Sequence, residues 1–203
     1  MLATIRRALV MSVFCLIFFG FVYAFVGTGV AQVLFKHQAD GSITPAGSTL
    51  IGQRWTGRKW FHGRPDDAGP YAHTAKKNVT GGDNPLVATG VTGESGATNL
   101  GPRSQTLVTD TKAMVAYWKS LGVDDPTNDL VTTSGSGLTA NITPQDALVQ
   151  VTMIHRAIPR VSVASLKALI SRETHGAQLG FLGTPYVIVL TLNEGLAKLE
   201  RAH

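Results

Sequence analysis

Cysteine is almost missing from this chain of 203 residues, because Cys15 is the only one. A single cysteine excludes a disulfide bond within the chain, whatever compartment the protein occupies. Cys15 also lies inside a long apolar run near the N-terminus, so the rest of the chain contains no thiol. The fold must therefore be stabilised by its own hydrophobic core.

Charged residues are also scarce, at only 15% of the chain. No charged side chain occurs between Arg7 and Lys36, and residues 9–34 are mainly Leu, Ile, Val, Phe, Ala and Gly. A helix rises about 1.5 Å per residue and the hydrocarbon slab is about 30 Å thick, so about 20 apolar residues can cross it. The sequence predicts a transmembrane helix over residues 9–34, after a short segment of residues 1–8.

Basic residues beside the apolar run predict its orientation. Arg6 and Arg7 precede the run, whereas Lys36 alone follows it closely, and Lys and Arg near a span tend to remain in the cytoplasm. We therefore expect a cytoplasmic N-terminus and an extracytoplasmic C-terminal part. A cleaved signal peptide is the alternative, with Val22-Tyr23-Ala24 or Gly29-Val30-Ala31 as cleavage site, although its apolar region usually has only about 7–15 residues.

A strong positive charge is also absent from the part after the span. This part contains sixteen Lys and Arg residues and thirteen Asp and Glu residues, so its net charge is +3. No block of basic residues alternates with aromatic residues there. Proteins that bind nucleic acid through its phosphates generally carry a clear basic patch. The composition therefore predicts no nucleic-acid partner.

The usual catalytic motifs are missing as well. The closest approach to a nucleophile elbow, Thr133-Ser134-Gly135-Ser136-Gly137, lacks the first glycine of Gly-x-Ser-x-Gly. No glycine-rich loop ends in Gly-Lys-Ser/Thr, which excludes ATP hydrolysis through a P-loop. The six histidines show no recognisable metal-ligand spacing. We predict no catalytic residue and no metal site, and we interpret residues 134–137 as a tight turn, with an anion-binding nest as the alternative.

Changes in composition along the chain predict its domain organisation. Residues 35–47 contain the turn-forming sequences Asp-Gly and Pro-Ala-Gly and are interpreted as a connector. Residues 48–203 are then expected to form one extracytoplasmic domain. Within this domain, the residues near 72–98 are rich in Gly, Thr, Asn and Ser and poor in large apolar residues. That composition predicts a flexible surface loop.

Apolar periodicity predicts three helices in the domain. The first helix is predicted between its cap Ser104 and Gly122, and the second between its cap Thr143 and Pro159. The third is predicted from its cap Ser162 to His175. Serine and threonine are favoured caps, and Pro144 suits the first position of the second helix. Gly176 is suited to the left-handed conformation that often ends a helix, here the third.

One segment predicts a strand more clearly than any other. The run from Tyr186 to Leu190 is apolar throughout and rich in β-branched residues, which is typical of a strand buried on both faces. Leu50-Ile51 and Leu130-Val131 are shorter candidates. The expected fold class is α+β: one N-terminal transmembrane helix followed by a small extracytoplasmic α+β domain.

Phe61, His62 and Arg64 form a compact aromatic and cationic cluster in the sequence. Aromatic residues and arginine are enriched at the centres of protein interfaces, so these three are candidates for contact with a partner. The alternative is a buried aromatic corner in which Arg64 binds a main-chain carbonyl. The sequence leaves both interpretations open.

A second candidate contact lies within the span. Gly20, Ala24 and Thr28 recur every four residues, as do Gly27 and Ala31. Small residues at this spacing let a neighbouring transmembrane helix approach closely. A span rich in Gly and Ala also produces such a stripe by chance.

A set of short motifs, in this order, resembles one family, the C subunit of the Kdp-type potassium-transporting P-type ATPases. The resemblance begins with the N-terminal span and covers nearly the whole chain. The later motifs are Leu50-Ile51-Gly52-Gln53, Phe61-His62-Gly63-Arg64-Pro65, Asn99-Leu100-Gly101-Pro102, Asp129-Leu130-Val131-Thr132, Ser134-Gly135-Ser136-Gly137-Leu138, Ile142-Thr143-Pro144, Gln150 and Gly180-Phe181-Leu182-Gly183. Residues 70–96 extend a passage that is usually short in the family.

The resemblance implies a subunit without enzyme activity in a high-affinity, ATP-driven potassium importer of the bacterial plasma (inner) membrane. It implies three partners: a channel-like potassium-translocating subunit, an ATP-hydrolysing P-type ATPase subunit and the lipid bilayer. The family is commonly described as a chaperone that raises the ATP affinity of the hydrolysing subunit. No tightly bound cofactor is implied, since ATP acts through that partner.

The resemblance also assigns one residue. The glutamine proposed to assist nucleotide binding corresponds to Gln150, which is therefore the single candidate for contact with a cofactor. Two other functions remain as alternatives for a chain with this organisation. One is a membrane-anchored extracytoplasmic hydrolase, and the other is a membrane-anchored solute-binding module.

Overall fold

The computed structural model describes residues 1–44, 46–52, 55, 57–65 and 98–202. Nearly all of the loop predicted near residues 72–98 therefore lies outside the described residues. The chain divides into two compact units, Met1–Ile43 and Thr44–His203. Each unit has its own architecture.

The N-terminal unit is built on one long helix. Its elements are α1 (Leu2–Ile17), a π-helical turn (Phe18–Val22), α2 (Tyr23–Leu34) and the short α3 (Lys36–Ala39). The first three are continuous over 33 residues, long and apolar enough to cross a membrane. None of their residues is buried within the chain, so this apolar surface needs a lipid or protein environment. The predicted apolar helix is confirmed, and it begins at Leu2.

The second unit combines helices with short strands. In chain order, the elements that follow are β1 (Ile43–Thr44), β2 (Gly47–Ser48), α4 (Gln105–Leu121), α5 (Asn128–Val131), β3 (Asn141–Ile142), α6 (Pro144–Ala157), α7 (Val163–Glu173), β4 (Thr174–His175), β5 (Tyr186–Ile188) and α8 (Val189–Ala202). Strands β1 and β2 pair with each other. The remaining three strands form a second sheet, against which α6, α7 and α8 pack.

This three-stranded sheet has the order β3-β5-β4, and both outer strands run antiparallel to β5. Val187 in β5 pairs with Ile142 on one side and with Thr174 on the other. Its side chain is fully buried. The central position of β5 confirms that the segment beginning at Tyr186 contains the main strand. The predicted α+β class is confirmed with it.

Local sequence signals place several helix ends correctly. Ser104 caps α4 through its side chain, and Gly122 ends the helix with φ at +93°. Thr143 and Asp146 form a reciprocal capping box at the start of α6, with hydrogen bonds of 3.1 and 2.7 Å. Ser162 caps α7. Such caps satisfy main-chain N–H groups that have no partner inside the helix.

The end of α7 differs from the prediction. The helix stops at Glu173, two residues before the expected end, and Gly176 does not adopt the left-handed conformation. Thr174 and His175 leave the helix because they pair with β5 as strand β4. The rings of His175 and Tyr186 stack there, with centroids 5.0 Å apart. Pairing with a distant strand outweighs the local signal of the glycine.

The largest error concerns the C-terminal segment. The predicted strand continues to Leu190, but β5 ends at Ile188 and Val189 begins the fourth long helix, α8. Only Val187 is fully buried in β5, and its two neighbours are partly buried. The apolar run passes from strand to helix without a glycine or proline between them. The usual boundary signal is therefore absent.

Both minor strand candidates are wrong as strands. Leu130 and Val131 are the buried residues of the short helix α5, and the Leu130 carbonyl accepts a hydrogen bond of 2.8 Å from the Trp118 indole. Ile51 forms one isolated bridge with Thr139 and belongs to no strand. Side-chain burial explains the pair Leu130-Val131, whereas Leu50 is exposed and Ile51 is partly buried.

The core lies between the sheet and helices α6, α7 and α8, and α4 adds Met114 and Trp118 to it. Its largest fully buried side chains are Trp118, Phe61, Leu130, Met153, Ile154, Leu166, Leu169, Leu192, Leu196, His62 and Gln150. Helix α7 packs against both α6 and α8. At Gly195 in α8, an added Cβ would come within 2.6 Å of Leu169 Cδ1. The absence of a side chain at Gly195 therefore permits the close approach of α8 to α7.

Candidate functional site

The small residues of the span lie in two kinds of helix. Gly20 lies in the π-helical turn, whereas Ala24 and Thr28 lie in α2. All three are exposed, and a Cβ added at Gly20 would meet no atom within 4 Å. The described residues of the chain do not cover this stripe. Its role as a surface for another helix stays a prediction.

Inside the C-terminal domain, two buried side-chain amides hold the main chain of Phe61 and His62. Gln150, from α6, accepts the His62 N–H at 2.8 Å and donates to the His62 carbonyl at 3.1 Å. Asn193, from α8, does the same for Phe61, with both distances 2.8 Å. We name these four residues the amide clasp. It joins one extended segment to two helices that lie 88 and 132 residues further along the chain.

The amide clasp satisfies main-chain groups that would otherwise be unpaired. Phe61 and His62 belong to no strand, yet both residues are fully buried. A buried peptide group without a partner costs about 1–3 kcal/mol. Each side-chain amide directs one N–H donor and its oxygen acceptor at the segment, as a peptide unit of a neighbouring strand would. Gln150 and Asn193 therefore substitute for a strand that this segment lacks.

Both amides of the clasp are themselves fully buried. Gln150 Nε2 makes a further hydrogen bond of 3.1 Å to the carbonyl of Asp146, one turn earlier in α6. Two N–H donors and one oxygen acceptor of Gln150 thus bind groups of the domain itself. The arrangement is a structural one, since every partner belongs to the same chain.

His62 is held in the core with a neutral ring. Its Nε2 lies 2.7 Å from the carbonyl of Gly57, which makes the Nε2–H form the donor. The ring packs edge to face against Trp118, with centroids 5.7 Å apart. Burial lowers the pKa of His62 to about 4, and the hydrogen bond to Gly57 offsets only part of this effect. The folded domain therefore keeps His62 neutral at physiological pH.

Arg64 connects the same segment to α5 and the turn after it. Its Nη1 lies 3.3 Å from a carboxylate oxygen of Asp129. Its Nη2 donates to the Thr133 carbonyl at 3.1 Å and to the Thr132 hydroxyl at 3.3 Å. The buried Nε binds no described residue. A main-chain carbonyl is thus among the partners of Arg64, as the second interpretation of the sequence proposed.

The structure brings the three aromatic and cationic candidates together inside the domain. Phe61 and His62 have no exposed surface, and the Arg64 side chain is 24% exposed. This arrangement is the buried aromatic corner. In the folded chain, Phe61 and His62 have no exposed side-chain surface, so a contact between these two side chains and a partner stays a prediction that would require the corner to open. A partner contact of Arg64 stays a prediction.

Gln150, the nucleotide-related candidate, lies in the amide clasp. A direct contact between its amide and a nucleotide would require the clasp to open, because the amide is already bonded to His62 and Asp146. The nucleotide-related role stays a prediction. Asn193 was missed by the sequence reasoning. Its signal was a polar residue on the apolar face of α8, between Leu192 and Leu196, visible only when that segment is recognised as a helix.

Residues 134–137 form a tight turn, as the sequence predicts. The Gly137 N–H donates to the Ser134 carbonyl at 3.3 Å and to the Ser134 hydroxyl at 2.9 Å, and Gly137 has φ at +70°. The N–H of Gly137 thus points back into the turn. Across the described part of the chain, no group of three or more His, Cys, Asp or Glu side chains is placed to hold a metal ion.

Comparisons with known proteins agree with the resemblance. A family model described as the c chain of the K+-transporting ATPase matches residues 5–198. Three relatives carry the name potassium-transporting ATPase KdpC subunit. The one from Koribacter versatilis is 38% identical over 92% of this chain and 90% of its own. The relative from Gloeobacter violaceus is 36% identical over 90% of this chain and 89% of its own. The relative from Methylobacterium nodulans is 37% identical over 98% of both chains.

These matches run from the apolar helix to α8, so they include both units of the chain. They also cover the amide clasp and the turn at residues 134–137. Identity of this level over nine-tenths of the length establishes common membership of a family. The chain therefore belongs to the KdpC family, the c chain of the potassium-transporting ATPases.

Proposed function

We propose that this chain is a non-catalytic subunit of a high-affinity, ATP-driven potassium import complex and is needed for the assembly of that complex. The contrast between the two units supports the proposal. No residue of the apolar helix is buried within the chain, so the helix needs neighbours in the bilayer. The buried polar side chains of the domain, such as Gln150 and Asn193, bind their own main chain.

The expected partners are a channel-like potassium-translocating subunit and an ATP-hydrolysing P-type ATPase subunit in the bacterial plasma (inner) membrane. The charges beside the span favour an N-terminus in the cytoplasm, since Arg6 and Arg7 precede the span and Lys36 follows it. The C-terminal domain then lies on the extracytoplasmic side. In that position it meets the partners where potassium enters.

A chaperone-like effect on ATP affinity would have to be indirect. A domain outside the cytoplasm has no access to cytoplasmic ATP, so its effect would be a coupling free energy transmitted by the span or the partners. A tenfold rise in ATP affinity corresponds to about 1.4 kcal/mol of such coupling. The engagement of the Gln150 amide within the clasp supports an indirect role for this residue too.

Co-purification tests the proposed function. The tagged full-length chain, expressed with the two partner subunits and extracted in mild detergent, should migrate with both. Potassium-stimulated ATP hydrolysis should require this chain in the mixture, whereas the purified chain alone should hydrolyse no ATP. Turnover that follows the isolated chain through purification, or its failure to migrate with either partner, would contradict the proposal.

The topology can be tested by a reporter that is active only outside the cytoplasm. Fused after His203, this reporter should be active in cells with the native chain. Replacing both Arg6 and Arg7 by glutamate should lower its activity severalfold, because the Lys and Arg bias that orients the span is then removed. Substituting Lys36 by glutamate is the matched control and should leave the activity high. Cytoplasmic activity of the native fusion would overturn the orientation.

The stripe of small residues gives a prediction about assembly. Replacing Gly20 or Ala24 by leucine keeps the helix apolar but adds bulk where a neighbouring helix would approach, so recovery of the complex in detergent should fall severalfold. Val22→Leu, on the other side of the helix, is the matched control. Equal recovery of all three variants and the native chain would show that the stripe is a product of composition.

A further inference from the structure

The last turns of α4 and α6 line a cavity of about 270 Å³ in the C-terminal domain. Three of the residues that line this cavity are cationic. Lys119 comes from α4, Arg156 from α6, and Arg58 from the segment that leads to the buried Phe61. These cations come from three separate parts of the chain. We name the cavity that they line the basic cavity.

Negative side chains do not balance these cations. Among the described residues that line the basic cavity, none is Asp or Glu. Asp124 and Asp125 follow the end of α4 closely in the sequence, but neither contributes to the lining. Within the described part of the chain, none of the three cations forms an ion pair. A cleft lined by charges of one sign raises the local concentration of counter-ions.

The two helix ends account for only part of the positive charge. Lys and Arg are favoured at the C-terminal end of a helix, because the helix dipole places about half a negative charge there. The ends of α4 and α6 therefore offset about one of the three positive charges. A net charge of about +2 remains in the basic cavity. A dianion would balance it, whereas a single carboxylate would balance half of it.

Two contacts hold the guanidinium groups beside the end of α4. Arg58 Nη2 donates a hydrogen bond of 3.1 Å to the Ser120 carbonyl, which uses one of the five N–H donors of the guanidinium group. Arg156 Nη1 lies close to Gly122, since a Cβ added at Gly122 would come within 2.8 Å of it. The missing side chain of Gly122 therefore leaves room for the second guanidinium group.

The rest of the wall is partly apolar. Leu121, Met153 and Ala157 also line the basic cavity. Its volume corresponds to about nine water molecules at their share of the liquid. The basic cavity thus has room for a tetrahedral anion together with a few carbon atoms. A phosphate ester has this composition, because its oxygens are charged and its ester carbons are apolar.

We infer that the basic cavity binds a doubly charged phosphate group, either as free phosphate or as the headgroup of a lipid phosphate monoester. Arg58, Lys119 and Arg156 donate charge-assisted hydrogen bonds to the phosphate oxygens, which the planar guanidinium groups fit in pairs. Leu121 and Met153 contact the ester carbons. The inference goes beyond the proposed function and is independent of it, because it requires this chain alone.

A double variant tests the basic cavity. Lys119→Gln with Arg156→Gln removes two of its three cations, and both positions are exposed, so the thermal unfolding midpoint should stay that of the native chain. Calorimetric titration of inorganic phosphate into the full-length chain in an uncharged detergent measures binding. A single hydrogen bond to a charged group contributes about tenfold or more to affinity. We therefore expect at least about tenfold weaker phosphate binding by the double variant.

Lys112→Gln with Lys167→Gln is the matched control. It removes the same net charge from exposed positions in α4 and α7 that do not line the basic cavity, so it should bind phosphate like the native chain. Equal affinity of both double variants would overturn the inference, because binding would then follow only the net charge. Saturable binding of neither inorganic phosphate nor phosphatidic acid by the native chain would overturn it as well.

Ala157→Glu tests the same cavity without removing a cation. Ala157 is the last residue of α6 and is exposed, so glutamate places a carboxylate at the wall without disturbing the core. Phosphate affinity should again fall by at least about tenfold, since the carboxylate competes for the same cations. This variant decides the question if the double variant unfolds. An unchanged affinity for phosphate would contradict the inference.

Short-chain phosphatidic acid distinguishes the two sources of the phosphate group. If it binds at least about tenfold more tightly than inorganic phosphate and displaces it, the ligand is a lipid headgroup. Equal affinities of the two ligands assign the cavity to free phosphate. Short-chain phosphatidylcholine, whose phosphate is balanced by a quaternary ammonium group, should bind at least about tenfold more weakly. Binding of phosphatidylcholine as tight as that of phosphatidic acid would overturn the inference, because the apolar wall alone would then explain it.

Discussion

Replacing Gln150 by leucine should lower the free energy of unfolding of the C-terminal domain by about 4 kcal/mol. Leucine removes the hydrogen bonds that the Gln150 amide makes with the buried N–H and the buried carbonyl of His62. Each such group costs about 1–3 kcal/mol when it is left unpaired. Water cannot replace the amide easily, because the residues around it are fully buried.

The same substitution on the same helix provides the control. Gln145 lies in α6 and is exposed, so Gln145→Leu should change the free energy of unfolding by less than about 0.5 kcal/mol. Urea unfolding of the full-length chain in mild detergent, followed by tryptophan fluorescence, measures both variants. Trp118 reports on the clasp, since its ring contacts His62. Equal stability of the two variants would show that the clasp does not stabilise the domain.

A second variant separates the structural role of Gln150 from a role in nucleotide binding. Gln150→Glu keeps an oxygen acceptor for the His62 N–H but places a second carboxyl oxygen against the His62 and Asp146 carbonyls. If Gln150 acts only through the fold, the ATP affinity of the assembled complex should follow the measured stability of the native chain and of both variants. A loss of ATP affinity without a loss of stability would indicate direct contact with the nucleotide.

Elements with local signals were the ones that the sequence predicted well. The caps Ser104, Thr143 and Ser162 bind main-chain groups within three residues of themselves, so the chain near each cap contains all the information needed. The same holds for Gly122, whose left-handed conformation ends α4. The long apolar helix was also predicted, because its composition alone determines it.

The errors arose where distant residues decide the structure. Thr174 and His175 directly follow the apolar pattern of a helix but pair with β5. No residue near them in the sequence indicates this pairing. Helix α8 begins inside an apolar run, at Val189, where strand and helix have the same composition. Its polar and charged residues recur later, at positions that fit a helix, but the glycine in its middle, Gly195, weakens that pattern.

The candidate site shows the same limit. The aromatic motif at Phe61 and the glutamine at position 150 were both selected from the sequence, but nothing in it indicates that they bind each other. Asn193 was overlooked because its helix was overlooked. The amide clasp is defined by contacts over 88 and 132 residues. Only the folded structure shows that Gln150 and Asn193 bind the main chain at Phe61 and His62.

Acidification from pH 7 to pH 4 should cost the domain about 3 kcal/mol of stability through His62. In the unfolded chain a histidine takes up a proton near pH 6.5, whereas burial lowers the pKa of His62 in the folded domain to about 4. Protons therefore bind the unfolded state preferentially between these values. The contribution of His62 is complete above about pH 6.5 and is lost as the pH falls toward 4.

His62→Phe isolates this contribution from that of the carboxylates. The variant keeps an aromatic ring against Trp118 but loses the hydrogen bond to Gly57, so at pH 7 it should be less stable than the native chain by about 1 kcal/mol. Because phenylalanine does not titrate, the deficit should shrink and reverse as the pH approaches 4. His175→Phe, at an exposed position stacked on Tyr186, should keep the native pH dependence. Parallel stability curves for His62→Phe and the native chain in urea unfolding between pH 7 and pH 4 would show that His62 does not destabilise the folded domain in acid.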